Sequence, residues 1–288
     1  MIRDDFEGRS RVRPTLFIPG APKAGTTTLY VHLRSHADIC MSEPKEPSLF
    51  HSHFGDREYL ERCYGHRTGE RLLGDATATY MIQPDVAGRI RDAVPEARFI
   101  VALREPIARA VSQYDFRVQK GTEVRPFSDV VKRGLDEEIL SFSAYGTHFG
   151  RFFDQFPVDR FHFVESSRLA SDPQGTMNGV FEFLGVNPIS IDPKLRENVT
   201  RAPGSQRIRR MLAYARRTGV QRLVPRRFRP RMRRALSNVM AMGSSGGRTQ
   251  IGDRDRARLI ELFEPEVERL EAAARLSFPE WRRAWHHA

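Results

Sequence analysis

A short apolar run, Thr15–Pro19, breaks at Gly20 into Ala21-Pro22-Lys23-Ala24-Gly25, and Thr26-Thr27-Thr28-Leu29 then opens a helical stretch. A strand that feeds a helix through so tight a loop leaves the first N–H groups of the helix unpaired at the end of the strand. The positive end of the helix dipole points to the same place. Strand, glycine loop and helix N-terminus together make an anion site. Gly25 lets backbone approach the anion closely, Thr26 and Thr27 add hydroxyl donors, and Lys23 adds a full positive charge. Ala24 and Thr28 belong to the same stretch and are counted with it as anion contacts.

The rest of the chain repeats the alternation. Thr15–Pro19, Leu72–Asp75, Phe99–Arg104 and Phe161–Glu165 read as four buried strands. Between and after them, Thr27–Ser35, Pro84–Val94, Ile107–Val118, Phe127–Leu135, Thr147–Phe156 and Pro173–Leu184 have helical spacing. Strands alternating with helices imply right-handed crossovers and a central parallel sheet. The expected architecture is a P-loop-type three-layer α/β domain with helices on both faces of the sheet. Residues 1–13 read as a charged tail and 14–288 as one domain: an α/β core over 14–195, an Arg-rich cap or loop region over 196–250, and a C-terminal helix over 251–288 that returns to the core.

Composition narrows the setting. Two cysteines, Cys40 and Cys63, are too few for a secreted disulfide framework, which points to a reducing compartment. Met1 to Pro14 is charged and has no apolar run behind it, so neither a secretory leader nor a membrane anchor is expected there, and a cytoplasmic location is. The net charge of +11 favours anionic partners. Thirteen arginines crowd Arg201–Arg234 with Glu197 as the nearby acid, and Gly243–Gly247 reads as a joint after them. Arginine in place of lysine suggests GC-rich coding and a bacterial source.

The anion loop is not that of a nucleoside triphosphatase. GxxxxGK[ST] needs lysine directly after its last glycine, whereas here Thr26 follows Gly25 and the lysine stands two residues before it. A second motif follows the strand that ends at Arg104: Glu105-Pro106-Ile-Ala-Arg109-Ala-Val-Ser112-Gln-Tyr114. Pro106 suits the first helical turn. Arg104 stands at the carboxyl end of its strand, where open α/β sheets bind ligands, and Ser112 lies about two turns further on. An arginine fork with a hydroxyl suits a phosphate dianion.

These two strings, P-K-x-G-T-T and R-x-P-x-x-R-x-x-S-x-Y, resemble the 5'-phosphosulfate and 3'-phosphate motifs of sulfotransferases that use 3'-phosphoadenosine 5'-phosphosulfate (PAPS). Weaker likeness continues through Phe161–Glu165, Val180–Gly185, Phe263–Leu270 and Trp281. It has the flavour of the heparan-sulfate and bacterial carbohydrate or natural-product branch. The resemblance implies transfer of a sulfuryl group to a hydroxyl or amine, with release of adenosine 3',5'-bisphosphate and no required metal. Lys23 would stabilise the leaving oxygen, and Lys23–Thr28 with Arg104 and Ser112 would hold the nucleotide.

Ser42–His51 resembles the family segment that carries the general base. Register against Leu49-Phe50 gives that role to Glu46, with Glu43 and His51 as rivals. Asp75-Ala76-Thr77-Ala78-Thr79-Tyr80 resembles the segment where some members carry a second lysine. Alanine stands there in this chain, and Lys45 is the substitute at hand. Lys45, Asp75 and Thr77 are expected on the acceptor side, and Arg201 is expected to cover the bound nucleotide. His51-Ser-His53 is too sparse for a zinc site.

Two other readings remain open. A small-molecule kinase or NTPase shares the strand–loop–helix, but needs the lysine shifted and usually a Mg²⁺ carboxylate where Arg104 stands. A nucleic-acid-binding protein built on Arg201–Arg234 lacks interleaved aromatics, and no nucleic-acid partner is expected. The acceptor is expected to be a carbohydrate, glycolipid or natural product. Contact of the arginines with anionic lipid or glycolipid stays open, and so does oligomeric state.

Overall fold

A computed structural model of the chain describes residues 12–192 and 249–286. The described residues within Met1–Pro106, Phe142–Asn198 and Phe263–Ala288 form one compact unit, and those within Ile107–Ser141 and Val199–Leu262 form another.

The first unit is built on five parallel strands: β1 (Leu16–Phe17), β2 (Ile39–Met41), β3 (Leu72–Asp75), β4 (Arg98–Leu103) and β5 (Phe161–Glu165). Their spatial order is β2-β3-β1-β4-β5. Parallel neighbours cannot be joined by tight hairpins, so helices carry the chain across the faces. These are α1 (Thr26–Arg34) after β1, α2 (Arg57–Cys63) after β2 and α3 (Val86–Ala93) after β3. This is the expected α/β architecture with one strand more: β2, a three-residue edge strand, adds to the four read from the sequence. β1 lies between β3 and β4, and from it the chain goes first to the β3 side and later to the β4 side. The topological switch point therefore falls between β1 and β4, where open α/β sheets hold their ligands.

The core explains why the central strands are apolar throughout rather than alternating. Every residue of Phe99–Leu103 is fully buried, as a strand covered on both faces requires. The Phe99 ring gathers those of Phe17, Phe152, Phe156 and Phe161, with centroids 5.7, 5.6, 4.7 and 4.9 Å away. Phe152 comes from α7 (Tyr145–Phe153), which precedes β5.

After β5 the chain forms α8 (Ser166–Ser171) and then α9 (Pro173–Leu184), whose bounds match those expected from sequence. The Asp172 side chain accepts from Gly175 N at 2.9 Å, Pro173 takes the first turn, and Gly185 ends the helix in the left-handed conformation at φ 67°.

The C-terminal helices are α10 (Asp253–Ala274) and α11 (Pro279–His286). Phe263, Val267 and Leu270 are buried. Buried Glu266 accepts from Thr147 N at 2.7 Å and Thr147 Oγ1 at 2.8 Å, tying α10 to the start of α7. Trp281 stacks on Phe278 and donates Nε1–H to Glu165 at 2.8 Å, while Trp285 donates to Glu105 at 2.6 Å. Both carboxylates follow or end a core strand, so the C-terminal helix is latched to the strand ends.

The second unit holds α4 (Pro106–Lys120) from Ile107 onward, α5 (Phe127–Arg133), α6 (Glu138–Ser141) and the first residues of α10. Arg125 joins Glu123 and Glu137, each at 2.6 Å, and Arg133 adds to Glu137 at 2.7 Å. Their hydrogen bonds hold the Glu137 carboxyl down at about 2. The Arg-rich stretch Arg201–Arg234, expected as a cap, lies outside the described residues.

Phe99 is the hub of the aromatic core, so Phe99→Ala should lower the unfolding free energy by about 3–5 kcal/mol in chemical denaturation.

Candidate active site

The phosphate loop begins as an extension of the sheet. Beyond β1, Ile18 N donates to Asp75 O at 2.8 Å, Ala21 N to Ala102 O at 2.7 Å, and Ala102 N to Gly20 O at 2.8 Å. The loop is thus sewn to both neighbouring strands before it turns. A side chain at Gly20 would collide with Met81, its Cβ only 2.6 Å from the sulfur. Gly25 is the N-cap of α1 at φ 101°, left-handed backbone that a residue with a Cβ rarely adopts.

Gly25 offers no side chain, so no side-chain cap fills the N-terminus of α1, and the first turn carries no acid. The leading N–H groups over Thr26–Thr28 have no carbonyl to bond inside the helix, because Leu29 N is the first to find one, Gly25 O at 3.1 Å. Three cationic residues belong to this loop or reach it. Lys23 sits within the loop in the left-handed region at φ 69°. Arg104, at the end of β4, lays its guanidinium over the loop and donates to Lys23 O at 3.3 Å. Lys45 reaches in from the segment after β2, with Nζ 3.4 Å from Thr26 Oγ1 and 2.9 Å from Glu46 Oε1. Helix donors with Arg104 and Lys45 beside them are a donor set suited to an anion.

Lys45, expected among the acceptor contacts, hydrogen-bonds Thr26 at the phosphate loop and ties Glu46 to it. Glu46 is half exposed and stands beside the loop. Its rivals are Glu43 and His51. Glu43 pairs with Arg34, the last residue of α1, about 12 Å along the helix from Thr26 at 1.5 Å per residue. The His51 side chain is exposed, in the turn that follows Phe50.

Asp75 and Thr77 differ from the expectation that they face the acceptor. Both are buried, at 0% and 1% exposure. Asp75 Oδ1 accepts from Thr77 N at 2.9 Å and Thr77 Oγ1 at 2.6 Å, and Oδ2 accepts from Tyr80 OH at 2.6 Å. The carboxylate is consumed inside the protein. Burial pushes its carboxyl up to about 6 against the pull of these bonds, and the charge of Glu46 adds to the rise. Tyr80, given no role from sequence, is part of this cluster; its spacing in Asp75-x-Thr77-x-x-Tyr80 at a strand end was the available signal.

Over residues 13–205 the chain matches the family described as “Sulfotransferase domain”. The chain belongs to the sulfotransferase family. It is 30% identical over 208 residues to human “Heparan sulfate glucosamine 3-O-sulfotransferase 6”, a match covering 67% of this chain and 58% of that protein. Mouse “Heparan sulfate glucosamine 3-O-sulfotransferase 3A1” is 30% identical over 205 residues, 67% of this chain and 51% of that one. The match thus spans between half and three-fifths of the length of these relatives. The crystal structure of a sulfotransferase from Alicyclobacillus acidocaldarius superposes with a TM-score of 0.69 at 21% identity, covering 94% of this chain and 99% of that one, which shows the shared fold.

Ser112 and Arg201 are the other two residues expected at the nucleotide. Ser112 lies on α4 in the second unit, nearly buried. Arg201 lies outside the described residues. Among the described residues, no group of three or more His, Cys, Asp and Glu side chains is placed to hold a metal ion, and no helix is long and apolar enough to cross a membrane.

The raised Asp75 carboxyl makes a signed prediction. Between its ordinary value of 3.8 and about 6, the folded chain holds more proton at this position than the unfolded chain. Its contribution to stability is therefore fullest below that window and falls as pH rises through it. In urea unfolding from pH 4 to pH 7, the stability difference between Asp75→Asn and wild type should shift toward the variant with rising pH, then level off.

Proposed function

We infer that the protein transfers the sulfuryl group of PAPS to a hydroxyl or amine of a carbohydrate, glycolipid or natural-product acceptor. The observation that carries this reading is the N-terminus of α1 without a side-chain cap, with Lys45 on Thr26, Arg104 on the Lys23 carbonyl and Lys23 itself in the loop. When bound, PAPS supplies a sulfur whose bond to the bridging oxygen of the 5'-phosphate breaks as the acceptor oxygen or nitrogen bonds to it, the electron pair leaving on that bridging oxygen.

The residues divide the work by position. The helix donors over Thr26–Thr28 and the Lys23 amine hold the phosphosulfate end and oppose the charge that builds on the leaving oxygen, an electrostatic contribution already organised before reaction. Arg104 and Ser112 are assigned to the 3'-phosphate by their motif. Glu46 accepts the proton of the acceptor, being exposed enough to meet it and tethered by Lys45 to the donor loop. Lys45 balances the charge of Glu46 and that of the donor.

Matches to heparan-sulfate enzymes support a carbohydrate acceptor. The net charge of +11 suits an anionic one, with the arginines of Arg201–Arg234 as a candidate clamp. A protein lacking Arg207–Arg234 with unchanged acceptor KM would remove that clamp.

The test is transfer of radiolabelled sulfate from PAPS to a panel of unsulfated and partly sulfated polysaccharides, glycolipids and phenolic alcohols. Product on at least one acceptor, with stoichiometric adenosine 3',5'-bisphosphate, is expected. Lys23→Ala should lower turnover by about two to three orders of magnitude, the scale of losing one oxyanion donor, with a smaller effect on bisphosphate binding. Glu46→Gln should abolish transfer and spare nucleotide binding; wild-type turnover in that variant would move the base to His51 or Glu43.

A further inference from the structure

The segment that carries Lys45 and Glu46 has little secondary structure of its own. Hydrogen bonds on both sides of Glu46 hold it to the protein. At its start, Ser42 N donates to Gly74 O at 2.8 Å, and Tyr30 OH donates to Ser42 O at 2.9 Å. Beyond Glu46, Ser48 N donates to Thr77 Oγ1 at 3.0 Å, and Phe50 N donates to Tyr80 OH at 2.9 Å. Ser48 lies in the left-handed region at φ 55°, a conformation that non-glycine residues adopt at some cost and keep only when their surroundings enforce it.

The two far attachments converge on one group. A hydroxyl that donates its single hydrogen has its lone pairs left to accept. Thr77 Oγ1–H donates to Asp75 Oδ1, so the threonine oxygen is presented to Ser48 N–H. Tyr80 O–H donates to Asp75 Oδ2, so the phenol oxygen is presented to Phe50 N–H. The carboxylate thereby fixes the polarity of both hydroxyls, and both backbone amides of the loop depend on it at one remove. Leu49 and Phe50, buried at 2% and 0%, lock the same stretch into the core, with the Phe50 ring on Phe17 and Tyr80. Glu46 lies between the Ser42 attachment and this double clamp, two residues before Ser48.

We propose that Asp75, Thr77 and Tyr80 are positioning residues that set the place of Glu46 by clamping the backbone of its loop at Ser48 and Phe50. The inference rests on Glu46 as the proton acceptor and adds to it a buried anchor with no contact to substrate. An error of about 1 Å in the position of a base is enough to cost about a hundredfold in rate, so an anchor of this kind acts on turnover rather than on donor affinity.

The test uses the full-length protein with Thr77→Val, Tyr80→Phe and Thr77→Ser, the last keeping the hydroxyl. Amide hydrogen exchange at Ser48 and Phe50 is read beside kcat, acceptor KM and the Kd for adenosine 3',5'-bisphosphate. Thr77→Val should speed exchange at Ser48 and Tyr80→Phe at Phe50. Each should lower kcat about tenfold or more while bisphosphate Kd stays within about twofold, and Thr77→Ser should restore both readouts.

Unchanged exchange in the valine and phenylalanine variants would overturn the clamp. Faster exchange with unchanged kcat would overturn its role in positioning, as would a fall in melting temperature with full kcat on the folded protein. Glu46→Gln, run in the same assay, keeps the two claims apart: normal turnover there removes Glu46 as the base, whereas the exchange data still decide whether the clamp exists.

Discussion

The N-terminus of α1 is left without a cap at the carboxyl end of the central strand, and the site is arranged around that vacancy of partners. Glycine at the N-cap withholds the side chain that would ordinarily satisfy a leading N–H, and the absence of an acid in the first turn leaves the helix dipole uncompensated. In the proposed function, the phosphosulfate meets the cost of those donors. β1 has only two residues, yet hydrogen bonds on both sides continue through Ala21, so the loop is carried by the sheet rather than by its own turn chemistry. Rigidity here is what lets Lys23 and Arg104 be brought together from opposite sides of the switch point.

Two carboxylates near one another have been given different tasks by their surroundings. Asp75 is buried, accepts three hydrogen bonds and has its carboxyl raised to about 6. Glu46 is half exposed beside the Lys45 amine. The first is spent on structure, and the second is the one proposed as the base. Lys45 connects this acceptor-side segment to the donor loop through Thr26, which makes the geometry of the two halves interdependent. The lysine absent at position 76 therefore does not leave the loop with a single cation.

Much of this was legible in residues, and the failures have physical causes. The strand–loop–helix showed itself because glycine, lysine and threonine occur there in an order that serves little but an anion. α9 was bounded correctly because Asp172, Pro173 and Gly185 each carry a local instruction. β2 escaped because three residues, Ile39-Cys40-Met41, are too few to show any period, and only pairing with β3 makes them a strand. Asp75 and Thr77 were expected as acceptor contacts because their segment resembles one of the family's; their inward turn depends on Tyr80 and on amides from a segment more than twenty residues away. The tie between Lys45 and Thr26 is likewise a contact between distant parts of the chain, which spacing does not encode.

The central claim is that this loop and its arginine bind a nucleotide carrying phosphates at both the 3' and 5' positions. Calorimetric titration without Mg²⁺ against two isomers, adenosine 3',5'-bisphosphate and ADP, tests it most directly, because their equal composition and near-equal charge remove bulk basicity as an explanation. The account predicts tighter binding of the 3',5'-isomer by about tenfold or more, a difference of about 1.4 kcal/mol. Equal affinity, or a preference for ADP, would contradict it and bring the kinase-like reading forward.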